Sequence, residues 1–475
     1  MQTLLRTLRS VINLFALVVW FASITQAKNS TATQQSLAQY LKQVRENHQG
    51  YLASEAIKTG TTFRMYETNL PLAPTFFSII QLASDAKASP FLSYAKLITN
   101  TYSVGLSQTT RFGLQAKFSY NLYYTDYVGL KPSYYEGKPI LELNQSFLRN
   151  SFGAETRALE ETQKAVVQAT HFGESFKMKL LLADAESTYW KLFYSQRNII
   201  IQKDALTRAQ KIYDWCEKRA RLRLADQADL LQAKAALETR KLQLEMAINE
   251  ERSTTLSFNQ MRGSDQTDIQ TELQDTDLNT LINLTPDKSS EPREDIKAAS
   301  ALEQVAYFNA ELMRERDKPV LEAFATLSLN GRDFATGEAL KNSLKTDQPT
   351  VAVGLRFSVP LDFGTIQNSR AGWLNEQKAA ELLYQRKQFD LAQEWSDLSS
   401  KFEEGKKRLI LSQAIENAQR QKLFYEKDRL TRGRSTTYQV LLFEQDYAQS
   451  QITRLQIQTE ILQINAKIKL FGVKS

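Results

Sequence analysis

The chain has one cysteine, Cys216, so no internal disulfide can staple it, and its redox compartment stays open. Two histidines, His48 and His171, give no basis for a histidine-built metal centre. Glycine and proline are scarce, 17 and 10 in 475 residues, too few for the several loop-rich domains that this length would otherwise suggest. Long uninterrupted elements are the expected alternative. There is no Gly-rich phosphate loop, no Walker-type lysine and no nucleophile with an identifiable base, and the acidic residues fall mainly on helical faces. Neither an enzyme nor a bound cofactor is therefore expected. Past Ala27 no stretch is apolar enough for a membrane helix, so any membrane span must be made of strands.

What the chain does have begins at its N-terminus. Arg6 and Arg9 precede the apolar run "VINLFALVVWFASI", and Thr25-Gln26-Ala27 supplies small residues for cleavage, so residues 1–27 read as a signal peptide. The other reading is a membrane anchor, although the run is shorter than the roughly 20 residues that span a bilayer. No cysteine follows it to carry a lipid. Removing Arg6 and Arg9 takes the formal charge from +7 to 7 − 2 = +5, too modest to argue for nucleic acid as a partner.

Strand patterns punctuate an otherwise helical sequence. In "PTVAVGLRFSVPLDFG", residues 349–364, every second residue from Val351 to Leu361 is apolar, which is the period of a strand. "RFGLQAKFSYNLYY" at 111–124 alternates as well, and "LEAFATLSLN" at 321–330 and "ILELNQSFL" at 140–148 do so less cleanly. The segments from Pro139 to Gly153 and from Pro349 to Gly364 share a proline start and a Phe-Gly end, at an offset of about 210 residues. The same shift lays "ADQADLLQAKAAL" over "STTYQVLLFEQDY", which points to two tandem copies of one unit. Each copy continues into a helical run, 154–218 and 365–430, and then a return helix. In the second return, Phe443, Tyr447, Ser450, Arg454, Ile457, Ile461, Ile464, Ile468 and Phe471 alternate spacings of four and three, a coiled-coil seam. The expected organisation is a first copy over 28–263, a polar connector over 264–293 and a second copy over 294–475. A helix from Arg293 to Lys318, stopped by Pro319, opens the second copy.

This order of helix, strand, loop, strand, very long helix and return helix, given twice, resembles the TolC-like outer-membrane efflux proteins. The likeness is carried by "REDIKAASALEQVAYFNAELMRERDKPVLEAFATLSLNG", by the strand ending in Pro360-Leu361 and Phe363-Gly364, and by "LELNQSF" followed by Gly153. It implies a mainly α fold with β: three chains pool strands into a twelve-stranded outer-membrane β-barrel, continuous with a periplasmic barrel of long coiled-coil helices. It further implies a passive channel in a tripartite efflux or type I secretion system, set in outer-membrane lipid and served by a periplasmic adaptor and an inner-membrane transporter. An exported structural or adhesive coiled coil is the alternative reading. The expected membrane strands are 74–86, 139–149, 320–331 and 350–360, with residues 331–345 outside the cell. One departure stands out: Pro74 to Pro139 is 65 residues where Pro319 to Pro349 is 30, and the extra 35 hold the strand at 111–124. With a partner near 102–109 that strand either extends the barrel wall or rises as a surface loop.

The two helix turns, "EKRARLRLADQAD" and "EKDRLTRGRSTTYQ", are both basic. Lys218, Arg219, Arg221 and Arg223 in one, with Lys427, Arg429, Arg432 and Arg434 in the other, are candidates for docking an acidic adaptor surface. The resemblance also implies a gate at these tips. Asp229 falls on an acidic link position, while the ring positions of the second hairpin fall on Gln439 and Leu442, so a double acidic ring is not expected. Asp229 is expected to pair with Arg432 or Arg434 of a neighbouring hairpin.

Overall fold

The computed structural model describes residues 34–86, 94–130, 132–222, 226–268, 272–276 and 278–472. The expected signal peptide and Arg223 lie outside these. Contacts divide the chain into two compact units, one of residues 1–49, 181–286 and 399–469, the other of 50–180, 287–398 and 470–475.

Helix, strands, long helix and return helix occur in that order twice. Two helices, α1 (Leu37–Asn47) and α2 (Gln49–Arg64), lead through a short 3-10 segment into β1 (Thr75–Asp85), β2 (Lys96–Thr109), β3 (Leu114–Val128) and β4 (Tyr134–Ser146). Next come the 68-residue α3 (Ala154–Arg221) and its return α4 (Gln227–Met261). The connector holds α5 (Leu278–Asn283) and leads to α6 (Glu294–Arg316), β5 (Val320–Ser328), β6 (Gly331–Asp333), α7 (Thr336–Asn342) and β7 (Thr350–Ser358). The second long helix, α8 (Phe363–Thr431), has 69 residues and returns as α9 (Thr437–Ile468). No helix among the described residues is long and apolar enough to cross a membrane.

In the first unit, α1 starts on a reciprocal capping box between Ser36 and Gln39. It buries Tyr40 against Phe258 of α4, the rings stacked 4.0 Å apart, with Tyr189 of α3 beside them. The Tyr189 hydroxyl donates to the Gln35 carbonyl at 2.8 Å, and burial pushes this phenol up to about 12. The α9 seam is buried as its spacing requires at Ser450, Ile461, Ile464 and Ile468. Beside the helix turns, Ile212, Cys216, Ala233, Leu423, Leu430 and Val440 form one apolar cluster. Cys216 is a packed residue there, its thiol pushed up by burial.

In the second unit one antiparallel sheet runs β1-β2-β3-β4-β5-β7, with β6 beside β4. The strand expected at 139–149 begins at Tyr134, so Pro139 is internal rather than initial. It is tolerated because β5 ends at Ser328: Ile140 faces Ser328, Gly137 faces Gly331 of β6, and in the gap between them the Pro139 carbonyl still accepts the Leu329 N–H at 3.1 Å, so the ladder forgoes only the one bond that Pro139 cannot donate. The expected four strands become six long ones, since β2 and β3 pair within the sheet. The β4–α3 turn is tight, with Asn150, Phe152 and Gly153 all at positive φ; a Cβ on Gly153 would sit 1.7 Å from the Arg111 carbonyl oxygen. The segment 331–345, whose residues are expected to be exposed, is ordered by β6 and α7 and buries Ala339 and Ser343, with Ser343 bonded to Tyr120.

Candidate functional site

Residues directly opposite in neighbouring strands share a face, so the pairing register sorts the sheet into two surfaces. One rung joins Phe76, Leu106, Phe118, Leu141, Leu327 and Val351 across all six strands. These six are between 37% and 69% exposed, so an apolar row crosses the sheet uncovered. On the same face Ile80, Val104, Val353, Leu355 and Phe357 are also exposed. The adjacent rung turns to the other face and reads Thr75, Ser107, Lys117, Glu142, Thr326 and Ala352. A sheet folded for water hides its apolar side on a core, whereas this one leaves that row exposed.

The polar face carries its charges as neighbours. Lys117 reaches Glu142 at 3.4 Å, Arg356 reaches Glu322 at 3.7 Å, and Glu136 takes both Lys138 at 3.5 Å and Arg332 at 3.3 Å. With Asp85, four cations face four anions, and the strands of this face sum to zero. Hydroxyl and amide groups lie between the charges beside a few apolar side chains such as Ile79 and Ile140, and the Ser103 hydroxyl donates to Asn121 across β2 and β3.

One small device occurs twice on this face. Phe77 lies opposite Gly105 and Phe324 opposite Gly354, and a Cβ on either glycine would come within 2.6 Å of the ring. Each ring is then topped by a cation, Lys117 at 5.4 Å and Arg356 at 5.8 Å. The absent side chain lets the ring lie flat along the wall. Nothing in the helical periodicity signals this; the alternating strands with an aromatic and a glycine in each half would have.

At the helix turns, the long helix α8 ends at Gly433, with the Arg434 N–H returning to the Arg429 carbonyl, and α9 starts under the Thr436 cap. Most of the basic residues there are already engaged. Arg221 pairs with Glu217 at 3.0 Å, Lys427 with Glu444 at 3.2 Å, Arg429 with Glu426 at 3.2 Å and Arg432 with Asp428 at 3.0 Å. Arg219 lies over the Trp215 ring at 4.7 Å. Lys218 and Arg434 make no ion pair among the described residues. Asp229 sits in the first turn of α4, behind the Asp226 cap, and within the chain meets neither Arg432 nor Arg434. Gln439 and Leu442 are exposed on α9, and Leu442 borders a cleft with Tyr438, Arg240 and Glu444.

That cleft holds charges that sequence reasoning passed over. Glu444 is almost fully buried and receives Arg208 of α3 as well as Lys427 of α8, while Arg208 also lies over the Tyr447 ring at 5.2 Å. Arg240 stands beside them, bonded to Gln243 at 2.7 Å, and burial holds its guanidinium below the ordinary arginine range. In a helical sequence a buried glutamate looks like any solvated one, so no local signal marked it.

No family model and no curated protein sequence matches the chain. Solved structures do. VceC, an outer membrane protein of Vibrio cholerae, is 14% identical, with a TM-score of 0.67 over 92% of this chain and 96% of that one. The CmeC outer membrane channel of Campylobacter jejuni is 16% identical, with a TM-score of 0.65 over 92% and 85%. The open state of the MtrE outer membrane channel of Neisseria gonorrhoeae gives 14% and 0.65 over 92% and 89%. At such identities the likeness is one of fold, and the fold of this chain is that of the TolC-like outer-membrane channels.

Proposed function

We propose that the chain is the outer-membrane channel of a tripartite efflux or type I secretion system, passively conducting what an inner-membrane transporter and a periplasmic adaptor deliver. The carrying observation is the two-faced sheet: an uncovered apolar row suits lipid, and the charge-balanced polar face suits a water-filled lumen. Among the described residues its end strands, β1 and β7, have no partner on their outer sides. An open edge in lipid leaves backbone groups without partners at several kcal/mol each, so copies must close the ring, and a homotrimer fits the resemblance. The helices then stand in the periplasm and residues 331–345 face outward. The two halves, 28–263 and 294–475, are read as copies of one unit joined by the connector at 264–293. At the tips, among the described residues, Lys218 and Arg434 are cations without an ion pair that could meet an acidic adaptor surface, and Asp229 with Arg434 is the candidate latch between hairpins. A soluble adhesive rod has no use for an exposed apolar sheet. Purified, detergent-extracted protein is expected to migrate as a trimer and to conduct ions in a planar bilayer; a water-extractable rod with no conductance refutes the channel.

A further inference from the structure

We infer that the β2–β3 hairpin is part of the membrane wall, so that the closed barrel has eighteen strands rather than twelve and its bore does not limit what passes. The inference rests on the trimeric channel proposed above and concerns only its size.

Three observations carry it. First, the hairpin is bonded on both sides: β1 pairs with β2 from Thr75 to Asp85, and β3 pairs with β4 from Leu114 to Thr125. If it rose as a surface loop, β1 would have to pair with β4, and in the sheet the two are separated by two full strands. Second, the two faces continue through it. Val104, Leu106 and Phe118 are 48–54% exposed on the apolar side, and Ser103, Ser119 and Asn121 lie on the polar side. A loop in water has no reason to carry that alternation in register with the wall. Third, every step from β1 to β7 is antiparallel, so β7 runs against β1. The β7 edge of one copy therefore meets the β1 edge of the next as an ordinary antiparallel pair, and six strands from each of three copies close without a mismatch.

The size follows from spacing and tilt. With strands about 4.8 Å apart and tilted about 40°, eighteen give a backbone radius of about 18 Å and twelve about 12 Å. Allowing about 5 Å for inward side chains, the bores are about 26 Å and about 14 Å. An α-helix with side chains is about 10–12 Å across, so the narrower bore admits one helix and the wider one a helical hairpin. Any size limit then lies elsewhere along the channel, away from the membrane.

The test uses the full chain with Cys216→Ala and Val353→Cys, spin-labelled on the exposed apolar face of β7 and measured by double electron–electron resonance in detergent or liposomes. Equivalent labels in three copies lie √3 radii apart, and an outward label sits about 5 Å outside the backbone, which gives about 40 Å for eighteen strands and about 29 Å for twelve. A distance near 40 Å supports the inference. A distance near 29 Å overturns it and leaves the channel standing. No distance between copies overturns the trimer, and the eighteen-stranded wall with it.

Discussion

Arg293 is the residue whose loss the structure prices most directly. It is 5% exposed and grips Asp295 through two bonds of 2.8 Å, reaches Glu394 at 3.0 Å, and lies between the rings of Phe176 at 4.9 Å and Phe471 at 4.5 Å. Burial pushes the Asp295 carboxyl up, but the bonds and charges of Arg293 and Lys387 outweigh it and hold the group below the ordinary carboxylate range. Removing one partner of a buried pair costs about 3–5 kcal/mol. Here Lys387 stays 3.0 Å from Asp295, which moves the cost toward the lower end. Glu394 is 43% exposed and adds little, while the two ring contacts add about 0.5–1 kcal/mol each. Arg293→Ala is thus expected to weaken local closure by about 4–5 kcal/mol, or about 10³–10⁴-fold in the opening equilibrium. Hydrogen exchange of the amides early in α6 reads that opening in detergent, variant against wild type at each pH. Because the folded carboxyl is depressed, its stabilisation is present above about pH 4, the unfolded value, and fades as pH falls through the lower folded value. In the variant, burial wins more of the contest and Asp295 protonates at higher pH, so the deficit is greatest near pH 7 and shrinks on acidification. Replacing the pair together, Arg293→Met with Asp295→Leu, recovers most of the loss. Less than fivefold faster exchange in Arg293→Ala at pH 7, or a deficit that grows on acidification, refutes this account.

Glu444→Gln leaves Arg208 and Lys427 facing each other beside Arg240 without a buried anion, at a cost of about 3 kcal/mol or more. Trypsin is expected to nick the turn at Arg429 to Arg434 at least tenfold faster, and an unchanged rate counts against the network. Asp229→Ala and Arg434→Ala are each expected to raise the open probability in a bilayer, since three latch pairs of about 0.2–1 kcal/mol are lost together. The effect should fade at high salt, where exposed pairs are screened. Wild-type gating in both variants at low salt means the latch does not exist.

The sequence by itself determined the elements, because each is a local periodicity. Helical runs expected at 154–218 and 365–430 are α3 and α8 to within a few residues, and the alternating segments are strands. Scarce glycine and proline leave a long helix little to stop it, and alternation leaves a strand two distinct faces. The tertiary structure decided what pairing and burial decide. Whether residues 96–128 joined the sheet depended on which strand β1 would choose, and alternation is the same in either case. That Pro139 sits inside β4 was invisible until the pairing placed it at the end of β5, opposite Leu329, where its missing N–H costs the ladder a single bond. The cations of the two tips read alike as docking candidates, yet four of them pair with acids of their own chain, one of which, Glu444, lies more than ten residues from its partner in sequence. Charge in a sequence is a count, whereas charge available to a partner is what remains after the fold has paired the rest.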